Sequence, residues 1–322
     1  MSSDPFSDVL RLADAKSVMS GGFAAGGTWA LRFPPPEKIK IFVVTKGSCW
    51  LQVDRDKKAL TLEQGDIFLV SGREGFLLAS SLTASPRDAR RVFSAGTFAQ
   101  LGDGSDCTMT GLHVTLHPSC GPLLVDLLPA LIHVRAASPQ AATLRWIMSE
   151  LLHERSSNLP GASVVSAQLA QVVFVQVLRA HLMSSGTLPT GWLRVISDER
   201  IAPALRLMHG DPRRAWGLDE LAKAAAMSRT TFAVYFKSVA GVAPLAYLTE
   251  WRMRLAQKVL RDENRSVSEL AESLGYASES AFSNAFKRVT GSAPRNYRNA
   301  ARRLPSPSED ARDLELAGRG IA

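Results

Sequence analysis

Between residues 218 and 298 this 322-residue chain is written twice. LDELAKAAAMSRTTFAVYFKSVAGVAPLAYL aligns with VSELAESLGYASESAFSNAFKRVTGSAPRNYR, and Leu221 and Ala222 match Leu270 and Ala271 at an offset of 49. Phe232, Phe236, Lys237, Gly241, Pro244 and Tyr247 match Phe282, Phe286, Lys287, Gly291, Pro294 and Tyr297 at an offset of 50, so one residue is inserted at the turn. Each copy predicts a short helix, a tight turn and a second helix. In the first, Leu218, Leu221, Ala222 and Ala225 make one apolar face, Ser228 stands where an N-cap belongs, and Phe232, Phe236 and Val239 follow at helical spacing. In the second, Val267, Leu270, Ala271 and Leu274 precede Gly275-Tyr276, Ser278 caps, and Phe282, Phe286 and Val289 anchor. Small residues at 222 and 271 let paired helices cross closely, as a helix-turn-helix requires. A helical solenoid is the competing reading, but solenoids need three or more repeats to bury a continuous core.

Between the copies, Pro244 to about Leu260 reads as one helix, with proline in its first turn and Leu245, Leu248, Leu255 and Val259 on one side. At 1.5 Å per residue it is about 25 Å long, a rod able to hold two recognition helices about one DNA turn apart. The apolar anchors fix which face of each second helix is left outward. In the first copy these positions are Arg229, Thr230, Ala233, Val234 and Lys237; in the second, Glu279, Ser280, Ser283, Asn284 and Lys287, with Arg288 beside them. Asn284 can pair with adenine, Glu279 can accept from cytosine, Ala233 or Val234 can pack on a thymine methyl, and Arg229 can reach guanine or phosphate. Lys237, Lys287, Arg288 and Arg298 suit phosphates, which supply affinity rather than sequence choice. For each residue the alternative is a solvated helix face.

The charge distribution points the same way. Residues 198 to 300 carry 16 basic and 11 acidic side chains, against 18 and 15 in the longer stretch 1 to 197, so the positive surplus is concentrated in the repeat. Three cysteines are too few for a disulfide framework and read as reduced thiols of a cytoplasmic protein. The first residues lack a basic segment followed by an apolar one, and no run approaches the roughly 20 apolar residues of a membrane span. The expectation is a cytoplasmic protein without membrane contact.

From Thr28 to about Val114 short apolar or alternating runs are separated by turn residues near every tenth position, the pattern of a β sandwich or barrel. Beyond His117, Leu123, Leu124, Leu127, Leu128 and Leu131 recur at helical spacing, and 141–155 and 163–183 read as longer helices. The second is apolar around most of its girth, so it is buried in its own chain or in a dimer seam. Gly186 to Trp192 is the linker candidate, and beyond Arg302 the composition is that of a disordered tail. The fold expected is α+β, in four parts: a β-barrel sensor domain over 1–135, helices for dimerisation or linkage over 136–197, an all-α DNA-binding domain over 198–300 with motifs near 218–240 and 267–290, and a tail over 301–322.

LAESLGYASESAFSNAFKRVTGSAPRNYR, through Leu270, Ala271, Gly275, Tyr276, Phe282, Phe286, Lys287, Gly291, Pro294 and Tyr297, resembles the signature of the AraC/XylS transcription regulators. DPFSDVLRL, LRFPPP, GSCWL and LEQGD resemble the amino-terminal cupin domain of a subgroup of that family, and LLPALIHV fits the same layout. The resemblance implies a regulator, in most cases an activator, with promoter DNA and RNA polymerase as partners, a homodimeric state, and a front domain that senses a small molecule or a redox change through the linker. It implies no cofactor.

A metal-dependent cupin enzyme needs imidazoles on the strand before Gly47, yet the chain has no histidine before His113, and Phe42 stands near an expected ligand position. Neither catalysis nor a phosphate loop is supported, since Gly21, Gly22, Gly26 and Gly27 fit no such spacing. Cys107, His113, His117 and Cys120 lie within fourteen residues and are of ligand type for a soft divalent ion; thiol oxidation and plain packing are the other readings. Trp29, Trp50, Phe42 and Phe68 can line an apolar pocket or be core. A low-specificity architectural DNA binder is the remaining alternative.

Overall fold

A computed structural model describes residues 4–56, 58–117, 121, 124–125, 128–157, 159–184 and 191–303. The architecture is α+β. Helix α1 (Pro5–Leu12) comes first, capped by Asp4, whose carboxylate accepts from Ser7 N at 2.9 Å. Eleven strands follow among the described residues: β1 (Lys16–Ala25), β2 (Ala30–Phe33), β3 (Ile39–Lys46), β4 (Ser48–Val53), β5 (Leu60–Glu63), β6 (Ile67–Val70), β7 (Phe76–Ala79), β8 (Arg87–Asp88), β9 (Phe98–Leu101), β10 (Cys107–Thr115) and β11 (Leu131–Val134). They form a six-stranded sheet, β11-β6-β3-β10-β1-β9, and a five-stranded one, β5-β4-β7-β2-β8.

Alternation decides which side chains the sheets share. Cys49, Leu51 and Val53 of β4 are buried while Trp50 and Gln52 between them are half exposed. Phe42 is stacked on Phe68 at 5.1 Å and Phe33 on Phe76 at 4.6 Å, in a core with Phe23, Trp29, Leu31 and Leu78. Of the four aromatics offered as a pocket lining, Trp29, Phe42 and Phe68 belong to that core and Trp50 does not. Asp66 of the LEQGD turn ties the layers together: its carboxylate accepts from Glu63 N (3.1 Å) and Ala136 N (2.7 Å), and lies 2.9 Å from His133 Nε2.

Two local expectations need correction. The sheet begins at Lys16 rather than Thr28, because KSVMSGGFAA, glycine-rich and poor in alternation, is held as a strand by full pairing with β10, with a bulge between Met19 and Gly21. Leu131 is not part of a helical series; it pairs with Val70 as the first residue of β11. Leu123 and Leu127 lie outside the described residues.

Helix α2 (Ala89–Val92) is a short connection. Helices α3 (Ala141–Ser156) and α4 (Ala162–Ser184) pack on each other, and α4 on β1, β6 and β11. Gln171 of α4 accepts from both Ser17 N and Ser17 Oγ at 3.1 Å. By length and mean hydropathy (1.4), Ala162–Met183 could cross a membrane, contrary to the sequence expectation; its half-buried glutamine bonds to Ser17 and its packing on the sheet are those of a packing helix.

The helices that follow are α5 (Trp192–Ser197), α6 (Ala202–Gly210), α7 (Leu218–Ala224), α8 (Arg229–Ala240), α9 (Pro244–Asp262), α10 (Val267–Ser273), α11 (Glu279–Thr290) and α12 (Pro294–Arg303). Contacts group the chain otherwise than at residues 135 and 197. One unit is Ala15–Leu116 with Leu128–Thr187, so helices α3 and α4 go with the sheets; the other is Met1–Asp14, His117–Leu127 and Leu188–Ala322, so α1 goes with the helix-turn-helix motifs. Of the linker candidate, 186–190 lies outside the described residues, and Trp192 is no linker residue: it is buried and stacked on Tyr247 at 4.3 Å. The segment expected to be a disordered tail lies outside the described residues from 304 onward.

Candidate nucleic-acid interface

In each motif the turn is built by caps. Ser228 Oγ accepts from Thr231 N at 3.2 Å, and Ser278 Oγ from Ala281 N at 3.1 Å, satisfying amides that open α8 and α11. Helix α10 begins with a reciprocal box in which Glu269 N donates to Ser266 Oγ (3.1 Å) and Ser266 N to Glu269 Oε2 (2.9 Å). Gly241 and Gly291 close α8 and α11 in the left-handed conformation. The turns differ at one equivalent position: Ala226 holds φ 52° in the first motif, and Gly275 holds φ 79° in the second.

Leu221, Ala222, Phe232, Phe236 and Val239 are buried in the first motif, and Leu270, Ala271, Phe282, Ala285 and Phe286 in the second. Val289, expected as the partner of Val239, is instead exposed. Burial of one face presents the other. Arg229, Thr230, Val234 and Lys237 are exposed and Ala233 is half exposed; Ser280, Asn284, Lys287 and Arg288 are exposed, and Glu279 and Ser283 are half exposed. The offset of 50 puts Val234 and Asn284 at one helical position, so one helix offers methyl groups where the other offers an amide. Val234 is 66% exposed, unusual for an aliphatic residue mid-helix.

Lys237, Lys287 and Arg288 have no ion-pair partner among the described residues, whereas Arg229 Nη1 lies 3.4 Å from Asp219 and Glu279 3.4 Å from Arg295 Nη2. Arg298 leaves the group of phosphate candidates: its guanidinium donates to the Arg265 carbonyl and its Nε is buried.

Helix α9, 19 residues and about 28 Å long, carries both motifs. Its carboxy-terminal half packs Met253, Ala256 and Leu260 into the core of the second, and Tyr247 meets Phe236 of the first at 5.5 Å. A residue that sequence reasoning passed over fixes the two motifs to each other. Arg252 donates through Nε to Pro212 O (2.6 Å) and through Nη2 to Arg214 O (2.9 Å), and its guanidinium carbon lies 5.7 Å from the Tyr276 ring centroid. One planar fork thus grips the loop before α7 and the turn after α10.

Cys107 and His113, two of the four residues of the alternative metal reading, are not brought together. Cys107 opens β10 and His113 lies six residues further along it, about 20 Å away at strand rise, and Cys120 lies outside the described residues. His117 Nε2 is 3.0 Å from Asp262 Oδ1. No group of three ligand-type residues occurs among the described residues. Cys107 instead neighbours Cys49: their hydrogen bond, and then burial, push the Cys49 thiol up, while the same bond pulls Cys107 down.

His113 is buried in β10 opposite Lys40. Burial, then Lys40 and Lys38, hold its imidazole down at about 4. Neutral in the folded state, it takes up a proton near its ordinary value when unfolded, so the sheet unit's stability is full above about pH 6.5 and declines as pH falls toward about 4. His113→Gln is expected to flatten that decline in urea titrations across this range; an unchanged slope would assign it to other groups.

Two helix-turn-helix motifs locked on one rod, with basic and hydrogen-bonding faces outward, define a DNA-binding regulator of transcription. The comparisons with known proteins agree. A cupin family model matches residues 4–183, and a helix-turn-helix domain model matches 221–300. A putative AraC-like transcription regulator of Streptomyces antibioticus is 38% identical over 297 residues, covering 92% of this chain and 98% of that protein. The RCS-specific HTH-type transcriptional activator RclR of Escherichia coli K12 is 35% identical, covering 94% and 99%. Among solved structures, the DNA-binding domain of AdpA in complex with a target DNA is 34% identical over 33% of this chain and 96% of that one, with a TM-score of 0.31. The chain belongs to the AraC-like transcription regulators, with a cupin-type sensing domain ahead of the DNA-binding helices.

Proposed function

We propose that α8 and α11 are the recognition helices, reading two half-sites of promoter DNA one helical turn apart. The observation that carries this is the equivalence of their exposed faces. Arg229, Thr230, Ala233, Val234 and Lys237 stand where Glu279, Ser280, Ser283, Asn284 and Lys287 stand, on helices spaced by one rigid rod. The first half-site is read by shape and methyl contact, the second by hydrogen bonds. The chain acts in the cytoplasm as an activator that engages RNA polymerase, a reading supported by the name of the Escherichia coli relative. It is not an enzyme, a reading supported by Phe42, which stands near an expected cupin ligand position and stacks on Phe68 in the core of the sheets. Homodimerisation is supported by Val164, Val165 and Val172 of α4 and Trp146 of α3, exposed apolar side chains suited to a second copy. The signal is a small molecule or a thiol oxidation, the latter supported by the adjacent Cys49 and Cys107.

The test is selection of bound duplexes from a random pool by the full-length protein, with and without thiol reductant and chelator. Enrichment of paired half-sites supports the reading; uniform binding to all sequences would make this an architectural binder. On the selected duplex, Asn284→Ala is expected to relax choice at one base position. Lys287→Ala should weaken every sequence alike and lower the salt slope by about one unit. A uniform loss from both variants would mean that the faces are misassigned.

A further inference from the structure

One row of side chains near the end of the six-stranded sheet holds two nitrogen groups without partners. Val18 of β1, His113 of β10, Lys40 of β3, Val70 of β6 and Leu131 of β11 stand opposite one another across five strands. Alternation puts this row on the face that meets the other sheet, because the next such row, Gly111, Phe42 and Phe68, carries rings of the shared core. Ser17 marks the opposite face by its bonds to Gln171 of α4. Lys16 and Thr115, the pair beyond Val18 and His113 on the same face, end the ladder.

Lys40 is half-buried and His113 is buried, yet neither makes a hydrogen bond or an ion pair among the described residues. Burial, and then Lys38, pull the Lys40 ammonium below its ordinary range, and Lys38 acts on His113 as well. No acidic residue stands in either row to offset that positive charge. A lysine that reached past the sheet into water would account for Lys40 alone; it would leave a buried imidazole beside it with both nitrogens unpartnered. The rest of the row is apolar and partly open: Val18 is 42% exposed and Leu131 half exposed, with the Phe42 ring in the row beneath. One ammonium and one imidazole N–H match the two oxygens of a single carboxylate, and the neighbouring side chains offer apolar surface to whatever carries it.

We propose that this row is a binding site for a small organic carboxylate with an apolar body. The carboxylate lies on the Lys40 ammonium and the His113 N–H, the body lies along Val18 and Leu131 over Phe42, and Lys16 and Lys38 add attraction without direct contact. The proposal deepens, and rests on, the reading that the signal is a small molecule, and it names the chemical class of that molecule.

The test is calorimetric titration of the full-length protein with hexanoate, benzoate and acetate, and with hexanol as the uncharged analogue of the first. Hexanoate is expected to bind at least about tenfold more tightly than acetate, through its added methylenes, and more tightly than hexanol. Lys40→Met, which keeps the stem and removes the charge, should weaken hexanoate and benzoate at least about tenfold and leave hexanol unchanged. Lys40→Arg should stay within about threefold of the wild type, and His113→Leu should weaken both carboxylates by about threefold or more. Lys46→Met removes the same charge from the other end of β3, where Lys46 donates to Ser105 Oγ, and should leave all four compounds unaffected. Equal losses from Lys40→Met and Lys46→Met, hexanol binding as tightly as hexanoate, or no saturable binding of hexanoate or benzoate up to about 10 mM would overturn the proposal. Affinity for the selected duplex is read with and without hexanoate. Carboxylate binding through Lys40 that leaves duplex affinity unchanged would sustain the site and remove the reading of it as the signal's receptor.

Discussion

Phe286→Ala is expected to destabilise the helical unit by about 3–5 kcal/mol, the usual cost of truncating a fully buried phenylalanine. The ring has no solvent exposure, meets Tyr297 edge-on at 5.4 Å and Phe282 at 5.7 Å, and sits among Met253, Ala256, Leu270 and Ala271. Three helices converge on it, so none can move in to fill the void alone. In calorimetry of the full-length protein, the transition of the helical unit should fall by more than about 10 °C while that of the sheet unit holds. Val289→Ala, one turn away and exposed, should change stability by less than about 0.5 kcal/mol. Similar shifts for the two variants would mean that α11 is not seated as described.

Gly275→Ala should be the second severe change. The residue holds φ 79°, which costs a side-chain-bearing residue about 1–2 kcal/mol. A Cβ there would also stand 1.9 Å from the Arg213 carbonyl oxygen, within the loop that Arg252 grips. The turn or the loop must give way, so the expected result is loss of paired half-site binding together with destabilisation of at least about 2 kcal/mol. The first motif provides the control, because Ala226 already occupies the left-handed conformation at the equivalent position. Wild-type binding by Gly275→Ala would show that the loop and turn are not in contact.

Those two residues also show why so much of this half was legible. Caps, turn glycines and aromatic anchors act over a few residues, so their spacing survives in the sequence, and its duplication supplied a second reading of the same design. Long-range interactions left no such trace. KSVMSGGFAA gives no strand period because its conformation is set by a partner about ninety residues on. Arg252 reads as one more helix-surface charge, since the carbonyls it grips lie forty residues earlier. Val289 repeats Val239 in letters, but the neighbours that bury one do not cover the other. The Cys/His cluster was a nearness in sequence that a strand and a change of unit undo.

Helix α1 has a consequence for synthesis. Asp8 leaves the ribosome about two hundred residues before His209, the imidazole it meets at 3.2 Å, an interval of about 10–40 s at 5–20 residues per second. Throughout that time the apolar stripe of Pro5, Val9 and Leu12 lacks the later helices that cover it, and for the last part of it the strands of both sheets have all been made. A segment made early is thus seated late, only after helices about two hundred residues further on have been made.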